Sequence, residues 1–176
     1  CTLHVPANGR CDYDAGYVVK LHRMVTRHLP RPHRFVCLSN VDVPCERIPL
    51  SPAPWSRHWW AKMELFRPDL PIGRMLAIDL DTVITGDLTD IAAVQHTATM
   101  LSDFNIPERA QSGLMMLPAL DRATVWEAWI ACPEIHIARQ GGNGDGGFIG
   151  DILPGAARWQ DVLPNQVVSY KNHVKP

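Results

Sequence analysis

Two short, uninterrupted apolar runs constrain this chain more than anything else in it: Phe35-Val36-Cys37-Leu38 and Met75-Leu76-Ala77-Ile78. Neither alternates polar with apolar residues, so neither fits a strand with one face in water. Such runs suit strands covered on both sides, as in a parallel sheet flanked by helices. Upstream of the first, Val18, Leu21, Met24, Val25 and Leu29 recur at helical spacing. Asp12 stands where an N-cap is expected, and Pro30 and Pro32 stop the helix. Residues 3–5 read as a strand ahead of a loop carrying Asn8-Gly9-Arg10. Strand, helix and strand in that order form a βαβ unit, with the right-handed crossover such units take.

The remainder alternates in the same manner. Residues 41–56 are Pro-rich and read as irregular. Residues 59–66 fit about two helical turns, ended by Pro68. The second apolar run leads into Asp79-Leu80-Asp81-Thr82, and the β-branched residues 82–85 read as extended. Residues 99–101 and 114–117 are expected as strands, 120–131 as a helix with Asp121 near its start, and 148–153 as a short helix. Residues 141–147 hold five glycines and read as a flexible loop. Residues 167–170 read as a closing strand. With no internal repeat and no linker, the expectation is one α/β domain over residues 1–176 with a mixed, mainly parallel central sheet.

Composition narrows the function. The chain has 176 residues, 46% hydrophobic and 20% charged, enough for one domain with a real core. Its 17 Lys and Arg against 18 Asp and Glu leave a net charge of −1, which argues against a nucleic-acid binder working through bulk positive charge. No apolar run is long enough to cross a membrane. The five cysteines, odd in number and without a CxxC pair, point to a reducing, cytoplasmic setting. Cys37 reads as a small buried hydrophobe. Cys1-Thr2-Leu3-His4-Val5 has neither an initiator Met nor a signal-peptide pattern, and reads as a strand entered part-way, by processing or truncation.

The chemistry centres on Asp79-Leu80-Asp81. Two carboxylates just past the end of a buried strand repel each other and lose hydration. A divalent cation relieves both costs, and oxygen-only ligands suit Mg²⁺ or Mn²⁺. Strand ends are also where α/β sheets place ligands. The bland alternative is a turn in which Asp79 caps a backbone amide and Asp81 is solvated.

Residues 74–88, RMLAIDLDTVITGDL, resemble the DxD strand of the GT-A glycosyltransferases, the Rossmann-like nucleotide-diphospho-sugar transferases. The upstream WWAKMELF, the downstream Ser112-Gly113-Leu114-Met115, Gly144-Asp145-Gly146 and Val168-Ser169-Tyr170-Lys171 resemble further segments of that family, in family order. The resemblance is closest to bacterial lipopolysaccharide-modifying and glycogenin-like enzymes. It implies Mn²⁺ or Mg²⁺ held by Asp79 and Asp81, binding the diphosphate of a donor, with a UDP-sugar the expected one. Asp79 would also reach the ribose. It further implies Lys62 on the diphosphate or the DxD carboxylates. Tyr13 would lie on the base, with Leu3 and His4 beside it through the main chain. Ser112 and Gly113 would lie near the donor sugar, and Asp145 on the sugar or acceptor. The acceptor class is a saccharide, a lipid-linked glycan or a protein side chain.

Glu64 reads as a surface charge, and Trp59 and Trp60 as packing residues. Tyr17 competes with Tyr13, but its helical position groups it with the core. The chain departs from the family at Gly146-Gly147, where a Gln is usual. His173 matches either a shortened form of a C-terminal metal-binding His or part of the closing strand, with the true ligand beyond Pro176. Two rival functions remain. One is a haloacid-dehalogenase-type phosphatase with Asp79 as nucleophile, which the mid-chain motif and the lack of a downstream acidic pair count against. The other is a non-catalytic nucleotide-sugar-binding domain.

Overall fold

A computed structural model describes residues 1–6, 12–56, 58–94 and 98–175. The expected loop at Asn8-Gly9-Arg10 falls outside the described residues, as does Cys11.

The βαβ unit is present. Strand β1 (Thr2–Leu3) is followed by helix α1 (Ala15–His28) and strand β2 (Val36–Ser39), and β1 and β2 pair in parallel. The N-cap of α1 is Asp14 rather than Asp12: its side chain accepts from the amides of Gly16 and Tyr17. Val18, Leu21 and Val25 form the buried stripe of α1. The Pro-rich segment expected to be irregular contains a further strand, β3 (Glu46–Pro49), parallel to β2. Its Glu-Arg-Ile-Pro sequence carries no apolar run, because only Ile48 of the four packs against the core.

Strand β4 (Met75–Ile78), short helix α2 (Thr89–Ala93), β5 (Thr99–Ser102), β6 (Ala110–Leu117) and β7 (Ala157–Arg158) supply the rest of the sheet architecture. Their order is β4-β6-β5-β7. Strand β6 runs antiparallel to both β4 and β5, so the later strands are mixed while the N-terminal ones are parallel. The described strands thus form two hydrogen-bonded sheets, three strands all parallel and four strands mixed.

Both sheets lie between the same two apolar layers, and alternation along the strands assigns each side chain. Met75, Ala77, Met115, Leu117, Met100 and Leu38 enter one layer, with helices α3 (Ala119–Ala131) and α5 (Gly144–Ile152) and the 3-10 helix His58–Phe66. Ile78, Leu114, Met116, Leu101, Cys37 and Leu3 enter the other, with α1 and α2. Burial on both faces explains why the strands read as unbroken apolar runs.

Three further expectations are corrected. Residues 82–85 form no strand, and residues 167–170 form none either: a π-helical turn, Tyr170–Val174, begins there instead. The glycine-rich segment is helical, with a 3-10 turn at Gly141–Asn143 leading straight into α5. Its glycines permit close packing rather than flexibility. A Cβ on Gly146 would lie 3.2 Å from the Ala110 carbonyl oxygen and the Ser112 amide nitrogen, and one on Gly150 would lie 2.6 Å from Ala110 Cβ. These two glycines, four apart, seat one face of α5 directly on β6. No helix among the described residues is long and apolar enough to cross a membrane.

Candidate active site

The 3-10 helix His58–Phe66 organises the site. With three residues per turn, positions three apart eclipse each other, so its nine residues form three distinct rows. Trp60, Met63 and Phe66 face the core, where Trp60 stacks on Trp129 at 5.2 Å between ring centroids. Glu64 is fully buried: it accepts from the Ser51 amide at 3.0 Å, the Ser51 hydroxyl at 2.5 Å and Arg67 at 2.7 Å. It is a structural anchor, not the surface charge expected. The third row begins Trp59, Lys62.

Lys62 is buried, and its Nζ lies between the two carboxylate oxygens of Asp79, at 2.7 and 2.9 Å. It also donates to the Ser112 hydroxyl at 3.0 Å and stands 3.5 Å from Asp145 Oδ2. Asp145 is buried, and among the described residues that Oδ2 has no hydrogen-bond partner and pairs with the Lys62 ammonium. Burial alone would lower the Lys62 pKa, but Asp145 and Asp79 outweigh it and hold the ammonium above the ordinary lysine value. Burial pushes the Asp79 carboxyl up, and Lys62 pulls it back.

The backbone fixes Asp79. It follows β4, its amide donates to the Gly113 carbonyl at 2.9 Å, and its own carbonyl accepts from Thr82 in a turn. Gly113 abuts it: a Cβ there would stand in ordinary contact, 3.6 Å from Asp79 Oδ2 and 3.4 Å from Leu101. Asp145 is carried in the first turn of α5, whose contact with β6 at Gly146 brings it to Lys62.

Across from Lys62, Asp81 is exposed and accepts the Tyr13 hydroxyl at 3.1 Å. Burial and then the Asp81 charge push the Tyr13 phenol up to about 12, so it stays a protonated donor. Tyr17 packs edge-on against Tyr13 at 5.0 Å and supports it from the core side. Thr2, Leu3, His4, Tyr13, His58, Trp59, Lys62, Asp79 and Asp81 line one cleft of about 830 Å³. Desolvation, then His58, lowers the His4 pKa.

Leu3, His4, Tyr13, Lys62, Asp79 and Asp81 thus line this cleft, and Ser112, Gly113 and Asp145 lie one contact behind it. Ser112 and Asp145 touch Lys62, and Gly113 abuts Asp79. His173 does not join them. Its ring packs on Phe104 and its Nδ1 meets Ser169 in the terminal turn. The exposed Trp59, expected to be a packing residue, lines the cleft instead.

Among the described residues, Asp79, Asp81 and Asp145 meet one lysine, Lys62, and bring more negative than positive side-chain charge to the site when the carboxyls are ionised. Among the described residues no cluster of three or more His, Cys, Asp or Glu is placed to enclose a metal ion. Asp81 with Asp79 offers instead an oxygen-only, incomplete donor set. Mg²⁺ is bound in that way, by one or two carboxylates with substrate phosphates and waters completing the sphere.

No family model matches this chain, and no curated protein matches it in sequence.

Proposed function

We propose that this protein is a metal-dependent glycosyltransferase of GT-A type, moving a sugar from a nucleotide-diphosphate donor, UDP-sugar by expectation, to a hydroxyl-bearing acceptor. The observation that carries the reading is convergence. Lys62, Asp79, Ser112 and Asp145 come from four separate segments of the chain and meet around the Lys62 ammonium group, beside a cleft that Tyr13 and its partner Asp81 also line. The volume of that cleft, about 830 Å³, suits a ligand the size of a nucleotide sugar.

The charge balance supports metal dependence. A diphosphate entering a site rich in carboxylate is repelled unless a cation accompanies it. Asp81 and Asp79 would hold Mn²⁺ or Mg²⁺, which supplies Lewis-acid stabilisation of the departing diphosphate. The chain's own groups do the rest. Lys62 presents a fixed positive charge at the cleft floor, preorganised by Asp79, Ser112 and Asp145, where negative charge grows as the sugar–phosphate bond breaks. Tyr13, kept protonated, orients Asp81 and offers a ring face for the base. Leu3 and His4 close the nucleoside end. Asp145, behind Lys62, fixes the ammonium.

Donor hydrolysis tests the proposal. Incubation of UDP-hexoses with Mn²⁺ should release UDP, and EDTA should stop the release. Hydrolysis of an aryl phosphate with no release of UDP would favour the phosphatase reading with Asp79 as nucleophile. UDP bound without turnover would favour a binding domain.

A further inference from the structure

The cleft contains one large apolar side chain that the nucleotide reading leaves unused. Trp59 is 57% exposed, although Trp60 beside it is buried. A singly exposed hydrophobic residue is ordinary on open surface, but this indole lines the cleft itself.

Three features hold it there. Residue 59 precedes Lys62 by three in a 3-10 helix, so the two side chains eclipse, with Trp59 one turn of about 6 Å above the ammonium. His58, which starts that helix, has φ 52°, in the left-handed region that non-glycine residues avoid at a cost of about 1 kcal/mol or more. Gly144, next to Asp145, has φ 60°, and a Cβ there would meet Trp59 Nε1 at 3.4 Å and Cδ1 at 3.5 Å. The indole edge is therefore seated on bare backbone at the start of α5, while most of the ring stays open to the cleft. A strained backbone on one side and an obligatory glycine on the other both serve to present this ring.

The ring lies between two polar groups, Lys62 one turn below and Asp145 one residue from its seat. A flat aromatic face in a cleft that Lys62, Asp79 and Asp81 also line suits a pyranose ring, whose C–H face carries partial positive charge toward the π cloud while its hydroxyls reach those polar groups. We infer that Trp59 is the stacking platform for the pyranose ring of a saccharide acceptor. This inference rests on the glycosyltransferase reading for the word acceptor, but the pyranose site itself does not depend on it.

Indole ¹⁵N–¹H NMR of the whole chain tests it, with the Trp59 signal assigned by its loss in Trp59→Phe. The probes are UDP with Mg²⁺, and separately methyl β-glucopyranoside, methyl β-galactopyranoside and lactose at up to tens of millimolar. At least one pyranoside should shift the Trp59 signal and leave that of Trp129 in place. UDP with Mg²⁺ should move the Trp59 signal little. Trp59→Ala should weaken that pyranoside about tenfold and Trp59→Phe about threefold or less, with UDP affinity within twofold of wild type in both. A Trp59 signal that no pyranoside moves overturns the inference, as does one that moves with UDP alone, which would make the ring a base platform. Pyranoside shifts without any UDP binding would support the platform while removing the nucleotide-sugar reading.

Discussion

Lys62 Nζ sits between both carboxylate oxygens of Asp79, at 2.7 and 2.9 Å, although seventeen residues separate the two in the chain. The contact ties the 3-10 helix to the end of β4 and sets the charge of the cleft floor. Asp145 completes it from α5 at 3.5 Å. One ammonium therefore compensates two carboxylates that would otherwise face each other with little water between them.

Lys62→Met should remove that compensation and leave Asp79 and Asp145 unpaired. Breaking a buried pair from one side costs about 3–5 kcal/mol, reduced here because Asp79 keeps some exposure. A loss of about 2–4 kcal/mol in urea unfolding near pH 7 is expected. The deficit should shrink as pH falls and the Asp79 carboxyl, already pushed up by burial, takes up a proton. A pH-independent loss would assign the effect to packing.

Gly146→Ala should separate α5 from β6. The new methyl would approach the Ala110 carbonyl oxygen and the Ser112 amide nitrogen at 3.2 Å, both of them backbone atoms that cannot swing aside. A cost of about 1–3 kcal/mol is expected, as for other overpacked contacts. Because Asp145 precedes it directly, donor turnover should fall as well, measured as UDP release per folded protein. Unchanged stability would mean that the helix shifts freely on the strand.

Arg122→Ala tests a buried cation that has no carboxylate partner among the described residues. Its guanidinium donates to the carbonyls of Leu65, Arg67, Ile72 and Gly73, binding the end of the 3-10 helix to the approach to β4. Orphaning these acceptors should cost about 2–4 kcal/mol. The melting temperature should drop by about 5–10 °C for a domain of this size. Loss of UDP binding at temperatures where the variant is still folded would contradict this structural role.

Asp103 should shape the acid limb of stability. It accepts from the amides of Asn105 and Ile106 at 2.7 and 3.0 Å and from Gln111 at 2.6 Å, and these bonds, that of Asn105 foremost, hold its carboxyl below the ordinary aspartate value. A depressed folded pKa contributes stability that is present above the unfolded value, near 4, and is lost as pH falls through the folded value. Asp103→Asn should therefore destabilise at pH 7 and matter progressively less below about pH 4. Parallel stability curves for the two proteins over that range would count against the assignment.

Much of the fold was legible because burial on both faces leaves a clear mark: Val36–Ser39 and Met75–Ile78 read directly as buried strands. The unexpected elements share a physical reason. Glu46–Pro49 pairs at an edge, where backbone bonds suffice and the side chains stay polar. The segment 141–147 was misread because glycine signals two opposite things, freedom and close approach. Only the position of Ala110 across from Gly146 and Gly150 decides between them. The site was visible as a short-range motif, Asp79-Leu80-Asp81, and through the resemblance of its flanking segments. Glu64 and Trp59 were not, since a 3-10 helix turns its rows at a period of three. Read at 3.6, the same residues exchange core, anchor and cleft positions.

Thermal unfolding of the wild type and of Asp81→Asn, each with UDP in Mn²⁺ and in EDTA, tests the central claim most directly. Ligand that binds the folded state raises the melting temperature in proportion to its affinity. UDP should stabilise the wild type by several degrees in Mn²⁺ and by much less in EDTA. Asp81→Asn should melt near the wild-type temperature without ligand, yet lose the metal-dependent increment and about 100-fold or more of UDP release from the donor. Equal shifts with and without metal, or an Asp81→Asn variant that keeps both its shift and its turnover, would contradict the account.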